Sequence, residues 1–113
     1  MPRKTHPETP DGRYFVAKGR LWRRTDPRLP EPERRAAVKA LMQARLAVRD
    51  APDDAALSDA RAAVDTAKRR LGERGPVWWD DGAPDEGGRA PWTSSYANWW
   101  SGLSPDEQAR GRA

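Results

Sequence analysis

Leu57, Ala60, Val64, Ala67 and Leu71 recur at alternating intervals of three and four residues, which holds one apolar stripe on one side of an α-helix. Ala37, Leu41, Ala44 and Val48 form a second, looser stripe upstream. Between them Ala51-Pro52-Asp53-Asp54 supplies a chain breaker and a carboxylate suited to capping the next helix. Folding the chain at Pro52 sets Val48 against Leu57, Ala44 against Ala60, Leu41 against Val64 and Ala37 against Ala67. Small residues then face small and large face large, so the backbones can approach closely. The pattern predicts an antiparallel helical hairpin over 31–71, with helices at about 31–49 and 54–71. Prolines 30 and 32 are tolerated in a first turn, where the N–H groups lack intrahelical partners. Lys68, Arg69 and Arg70 suit the negative end of the second helix, and Gly72 is its natural C′ residue.

Upstream, Arg13–Arg24 switches to short β-favouring runs, Tyr14–Ala17 and Arg20–Arg23, around Lys18-Gly19. Glycine supplies the positive φ of a two-residue hairpin turn. That turn pairs Tyr14 with Arg23, Phe15 with Trp22 and Val16 with Leu21, so Phe15 and Trp22 form a cross-strand aromatic pair. Downstream, Gly75-Pro76 is a hard stop, and Val77-Trp78-Trp79 can return as a third short strand beside the hairpin. Adjacent strand residues face opposite ways, so Trp78 and Trp79 cannot both enter one core. Ser94–Leu103 has aromatic residues at helical spacing, Ser104-Pro105-Asp106-Glu107 is a capping-box sequence, and Gly111 is expected to end the helix it starts.

The fold class expected is therefore α+β: a β-hairpin (12–24), a central antiparallel helical hairpin (31–71) and a Trp-rich, aromatic C-terminal segment (76–103), together one small domain over 12–103. Residues 1–11 and 104–113, polar and broken by proline or glycine, are expected to be flexible termini. About 80 residues bury only roughly 60% of their unfolded surface, so aromatics must fill much of the core. Six tryptophans in 113 residues fit that need.

Charge sharpens the functional reading. The chain carries +4, but residues 1–50 hold thirteen Lys or Arg against six Asp or Glu, and residues 51–113 eight against eleven. The basic half suggests a polyanion partner, or else the halves neutralise each other. Arg13, Lys18, Arg20, Arg23 and Arg24 interleave with Phe15 and Trp22 on the β-hairpin, and Arg35 and Lys39 add charge on the first helix. Guanidinium groups grip phosphates and aromatic faces stack on bases, which makes these nine residues a candidate nucleic-acid surface. Against it stands a specific alternative, that Asp80, Asp81, Asp85 and Glu86 fold back onto the hairpin arginines. Trp78, Trp79, Tyr96, Trp99 and Trp100 are the candidate anchors of a second reading, a protein-interaction adaptor or small subunit.

Enzyme chemistry finds little footing. The chain has no cysteine, its one histidine is His6 near the N-terminus, and no phosphate-cradling glycine motif is present. No catalytic residue, metal site or cofactor is expected. Nothing approaches a membrane-spanning or signal segment, so a cytoplasmic protein without a membrane partner is expected.

Three stretches carry a resemblance: Thr9-Pro10-Asp11-Gly12-Arg13-Tyr14, Gly19-Arg20-Leu21-Trp22-Arg23 and Gly72-Glu73-Arg74-Gly75-Pro76-Val77-Trp78-Trp79-Asp80. With the Ala/Arg-rich helical pair between them, the chain resembles a group of short, uncharacterised proteobacterial proteins over residues 9–85. The resemblance implies a compact bacterial domain and brings no activity, cofactor or site residue with it. The sequence thus expects a non-catalytic binding protein, with nucleic acid narrowly ahead of a protein partner.

Overall fold

The structure is a computed structural model and describes residues 5–113. Its elements run β1 (Tyr14–Ala17), β2 (Arg20–Arg23), α1 (Glu31–Asp50), α2 (Asp54–Arg70), a 3₁₀ turn (Pro91–Thr93), α3 (Ala97–Ser101) and α4 (Pro105–Arg112). The fold is α+β, as expected. The contacts, however, group into two compact units where the sequence suggests one domain: residues 25–80, and residues up to 24 together with 81–113.

The 25–80 unit is the helical hairpin. Ala37, Leu41, Ala67 and Leu71 form its buried cluster, flanked by Leu29, Val38, Ala40 and Val64, and Ala44 and Ala60 are also buried. Asp53 caps α2 by accepting the Ala56 N–H at 2.8 Å, an interaction typically worth about 1 kcal/mol. The end of α2 is tied to the segment before α1: the Asp26 N–H donates to the Leu71 carbonyl at 2.8 Å, and the Thr25 hydroxyl to Glu73 at 2.8 Å. Val77–Trp79 is irregular and not a strand. Trp79 is buried and Trp78 half-buried, packed edge to face at 5.1 Å, so the tryptophan pair shares cover without opposite strand faces.

The second unit is built on the β-hairpin. Its register is the expected one, Phe15 opposite Trp22 and Val16 opposite Leu21. Lys18 and Gly19 both take positive φ, +55° and +71°, as the right-handed twist of a two-residue turn demands. Both hairpin edges are occupied, which explains why Val77–Trp79 adds no strand there. Along β1, Glu8 bridges Phe15, the Val16 N–H donates to the Pro7 carbonyl and the Thr9 N–H to Tyr14, both at 2.9 Å. Along β2, Leu21 donates to Arg89 and accepts from Gly88, both at 2.8 Å. Edge backbone groups are thereby satisfied by polar, proline- and glycine-bearing segments with no strand signature.

Two of the expected flexible stretches are likewise tied down. Residues 7–9 form the β1 edge, with Thr9 buried, while residues 1–4 lie outside the described residues. Residues 105–112 form α4, started by the full Ser104/Glu107 capping box. Gly111 does not end α4; it lets the helix approach the core. A Cβ there would lie 2.7 Å from the Trp100 ring and 3.2 Å from Val16, and the Gly111 carbonyl accepts the Gly19 N–H at 3.0 Å. Tyr14, Val16, Leu21, Pro91 and Trp100 are the large buried apolar side chains of this unit.

Candidate interaction surface

The inward side chains of the β-hairpin carry a partly buried polar network. The Tyr14 hydroxyl accepts the Glu86 N–H at 2.8 Å and reaches Asp85 Oδ1 at 3.4 Å. Arg23, buried on β2, donates to Asp85 Oδ2 at 2.7 Å. Glu86, also buried, accepts both the N–H and the hydroxyl of Ser95. Burial alone would push the Asp85 carboxyl up, yet the Gly87 N–H, Arg23 and Tyr14 together hold it below the ordinary carboxylate value. Burial pushes the Tyr14 hydroxyl up, against the Glu86 N–H that favours its ionised form.

The remaining hairpin cations divide in two. Arg13 donates to Asp81 and lies 3.9 Å from Asp11; the hydrogen bond to Asp81 raises its already high pKa. Arg24 lies 3.1 Å from Glu8. Asp11 also accepts the Tyr96 hydroxyl at 2.6 Å. Burial opposes its ionisation, but bonds from Tyr96, Thr9 and the Arg13 N–H leave Asp11 lowered. Burial, followed by that same bond to Asp11, raises Tyr96. Lys18 and Arg20 stand exposed and make no ion pair among the described residues.

The acidic 81–86 loop therefore reaches the hairpin arginines through Asp81 and Asp85, whereas the Glu86 carboxylate holds Ser95 and Arg89 and Asp80 belongs to the helical unit. The charge asymmetry of the two sequence halves largely disappears in the fold. The β-hairpin unit has ten Lys or Arg against seven Asp or Glu, and the helical unit eleven against ten.

Exposed aromatic surface lies elsewhere than the paired tryptophans suggested. Trp100 is 4% exposed, Trp99 and Tyr96 are half-buried, and the three link ring to ring, with Tyr96 against Tyr14 at 5.6 Å. The Arg112 guanidinium covers Trp100 at 5.6 Å. The rings left to solvent are Trp22, 38% exposed, and Trp92, 47% exposed. The Trp22 indole N–H is held by the Ala17 carbonyl at 2.8 Å, and the ring shares the outward hairpin face with half-buried Phe15, itself 6.1 Å from His6. Trp92 packs on Trp100 at 5.8 Å, and its ring edge meets the turn at Gly19. Trp92 stands alone among loop residues, so no periodicity marks it in the sequence.

Arg35 and Lys39 lie on α1 in the helical unit, both exposed, with Arg35 3.8 Å from Glu31. Met42 and Leu46 are exposed on the same helix. Among the described residues no group of three or more His, Asp or Glu is placed to hold a metal ion, and no helix is long and apolar enough to cross a membrane. Comparison with protein-family models, with curated proteins and with solved structures finds no match.

Proposed function

We propose that this chain is a non-catalytic protein-recognition module whose contact surface is the turn end and outward face of the β-hairpin. Trp22 and Trp92 are its anchors, and Lys18 and Arg20 supply the rim charge. One observation carries this reading. Arg13, Arg23 and Arg24 are each engaged by a carboxylate of their own unit, while Trp22 and Trp92 expose the largest fractions of any tryptophan, 38% and 47%. Exposed indole rings beside a positive rim match a partner with an apolar patch flanked by carboxylates. The same pairing weakens the nucleic-acid reading, since phosphates would have to displace intramolecular carboxylates to reach three of the five hairpin cations.

Two binding measurements test it. Lys18 and Arg20 alone allow about two phosphate contacts, so a mixed-sequence duplex should show a logarithmic salt slope through the hairpin no steeper than about −1.8 between about 50 and 200 mM salt. A slope near −4.5, the value for about five contacts, lost on replacing Arg20 and Arg24 by Ala, would restore nucleic acid as the ligand. A purified protein partner should tolerate moderate salt and lose roughly thirtyfold in affinity with Trp22→Ala or Trp92→Ala, the scale of an interface anchor. Partner binding indifferent to both variants would remove the hairpin as its surface.

A further inference from the structure

The helical hairpin carries a feature that the proposed recognition surface does not use. Beside the α1–α2 seam lies an open groove of about 420 Å³ lined by Arg45, Val48, Arg61, Val64 and Arg74. Arg45 and Val48 come from α1, Arg61 and Val64 from α2, and Arg74 from the segment after it. Val48 and Val64 are half-buried and form an apolar floor. Arg45 and Arg61 enter from the two facing helices, and neither makes an ion pair or hydrogen bond to another side chain among the described residues. Arg74 is held at 3.2 Å by Asp65, which Arg69 also shares at 2.8 Å.

Three guanidinium groups around one groove repel each other unless an anion sits among them. The field is felt nearby. The Lys68 ammonium is pushed down, first by burial, then by the charges of Arg74 and Arg45 against the pull of Glu73. Asp65, shared with Arg69, is the one carboxylate bonded to the three lining arginines, so the groove keeps a net positive charge. A phosphate dianion compensates more of it than a single carboxylate does. The volume falls within the roughly 300–1,000 Å³ of small-molecule sites.

We propose that this groove binds a small organic phosphate, the phosphoryl group gripped by Arg45, Arg61 and Arg74 and its apolar part lying on Val48 and Val64. The site belongs to the helical unit, so it stands or falls independently of the β-hairpin surface.

The test titrates the full chain with phenyl phosphate, inorganic phosphate and benzoate, following the Val48 and Val64 methyl resonances. Phenyl phosphate at millimolar concentration should shift both and bind more tightly than either fragment. Arg45→Gln or Arg61→Gln should weaken it by about tenfold or more, the scale of a lost charge-assisted hydrogen bond. Arg35→Gln, an exposed change elsewhere on α1, should leave it unaltered. Unchanged circular dichroism of the variants keeps the comparison clean, and Arg45→Lys should give an intermediate loss because it keeps the charge without the fork. Absence of a shift with phenyl phosphate would overturn the site. Benzoate binding equally well would overturn the phosphate assignment, and inorganic phosphate binding equally well would overturn the role of the valine floor. Groove shifts seen with a duplex oligonucleotide but not with phenyl phosphate would overturn the small ligand.

Discussion

The β-hairpin arginines Arg13, Arg23 and Arg24 and the groove arginines Arg45 and Arg61 of the helical hairpin stand in opposite situations. In the β-hairpin unit Arg13, Arg23 and Arg24 meet Asp81, Asp85 and Glu8, carboxylates brought from residues before and long after the strands. In the helical hairpin Arg45 and Arg61 line a groove without any carboxylate of their own. A run of basic residues in sequence thus marks a structural clamp here, while arginines far apart in sequence make the more open positive site. Linear charge density is a poor guide to which cations face a ligand; the position of the counter-charges in the fold decides it.

The contrast can be broken from either side. The largest effect is expected in the β-hairpin unit, where the buried Trp100 and Val16 both pack against Gly111. Trp100→Ala should cost about 3–5 kcal/mol, seen as loss of hydrogen-exchange protection at Val16 and Leu21. In the helical unit Leu41→Ala, truncating a side chain of the buried cluster, should cost about 2–5 kcal/mol in denaturant unfolding followed by circular dichroism. A cost under about 1 kcal/mol at either site would show that the packing there is not what holds that unit.

Next in size is the clamp itself. Asp85 and Asp11 titrate below their ordinary value in the folded chain, so their contribution is present above about pH 4 and is lost as pH falls through the lowered folded values. Asp85→Asn should weaken the unit by up to about 1 kcal/mol at neutral pH, because solvent screens the half-exposed carboxylate, and should flatten its acid destabilisation. An acid-unfolding profile identical to that of the parent chain would show that Asp85 does not hold Arg23. The helix cap is comparable and more local: Asp53→Ala should cost about 1 kcal/mol and fray the first turn of α2, visible as faster exchange at Ala56.

The two units also differ in how far they can be read from residues alone. The helical hairpin is legible because its signals are local: stripes at three-to-four spacing, a proline break and a capping aspartate, all realised within a residue or so of the expected bounds. The β-strand register follows equally from Lys18-Gly19. What closes the β-hairpin unit is not local. Pro7–Thr9 and Gly88–Arg89 pair mainly through backbone groups, helped by the Thr9 hydroxyl that accepts the Tyr14 N–H, so no alternation of side chains announces them. Gly111 read as a helix stop because sequence cannot show the Trp100 ring that requires a residue without a Cβ. The groove arginines were just as hidden, since residues 45, 61 and 74 converge only when the helices fold back.

Chemical modification reads directly which arginines are engaged and which are open. Brief phenylglyoxal treatment of the native chain, with modified sites mapped by mass spectrometry, should label Arg20, Arg45 and Arg61 first. Arg13 and Arg24 should follow more slowly, with the buried Arg23 last. Labelling of Arg13, Arg23 and Arg24 as fast as Arg20 would contradict the internal clamp and return the β-hairpin arginines to the pool available for an anionic partner.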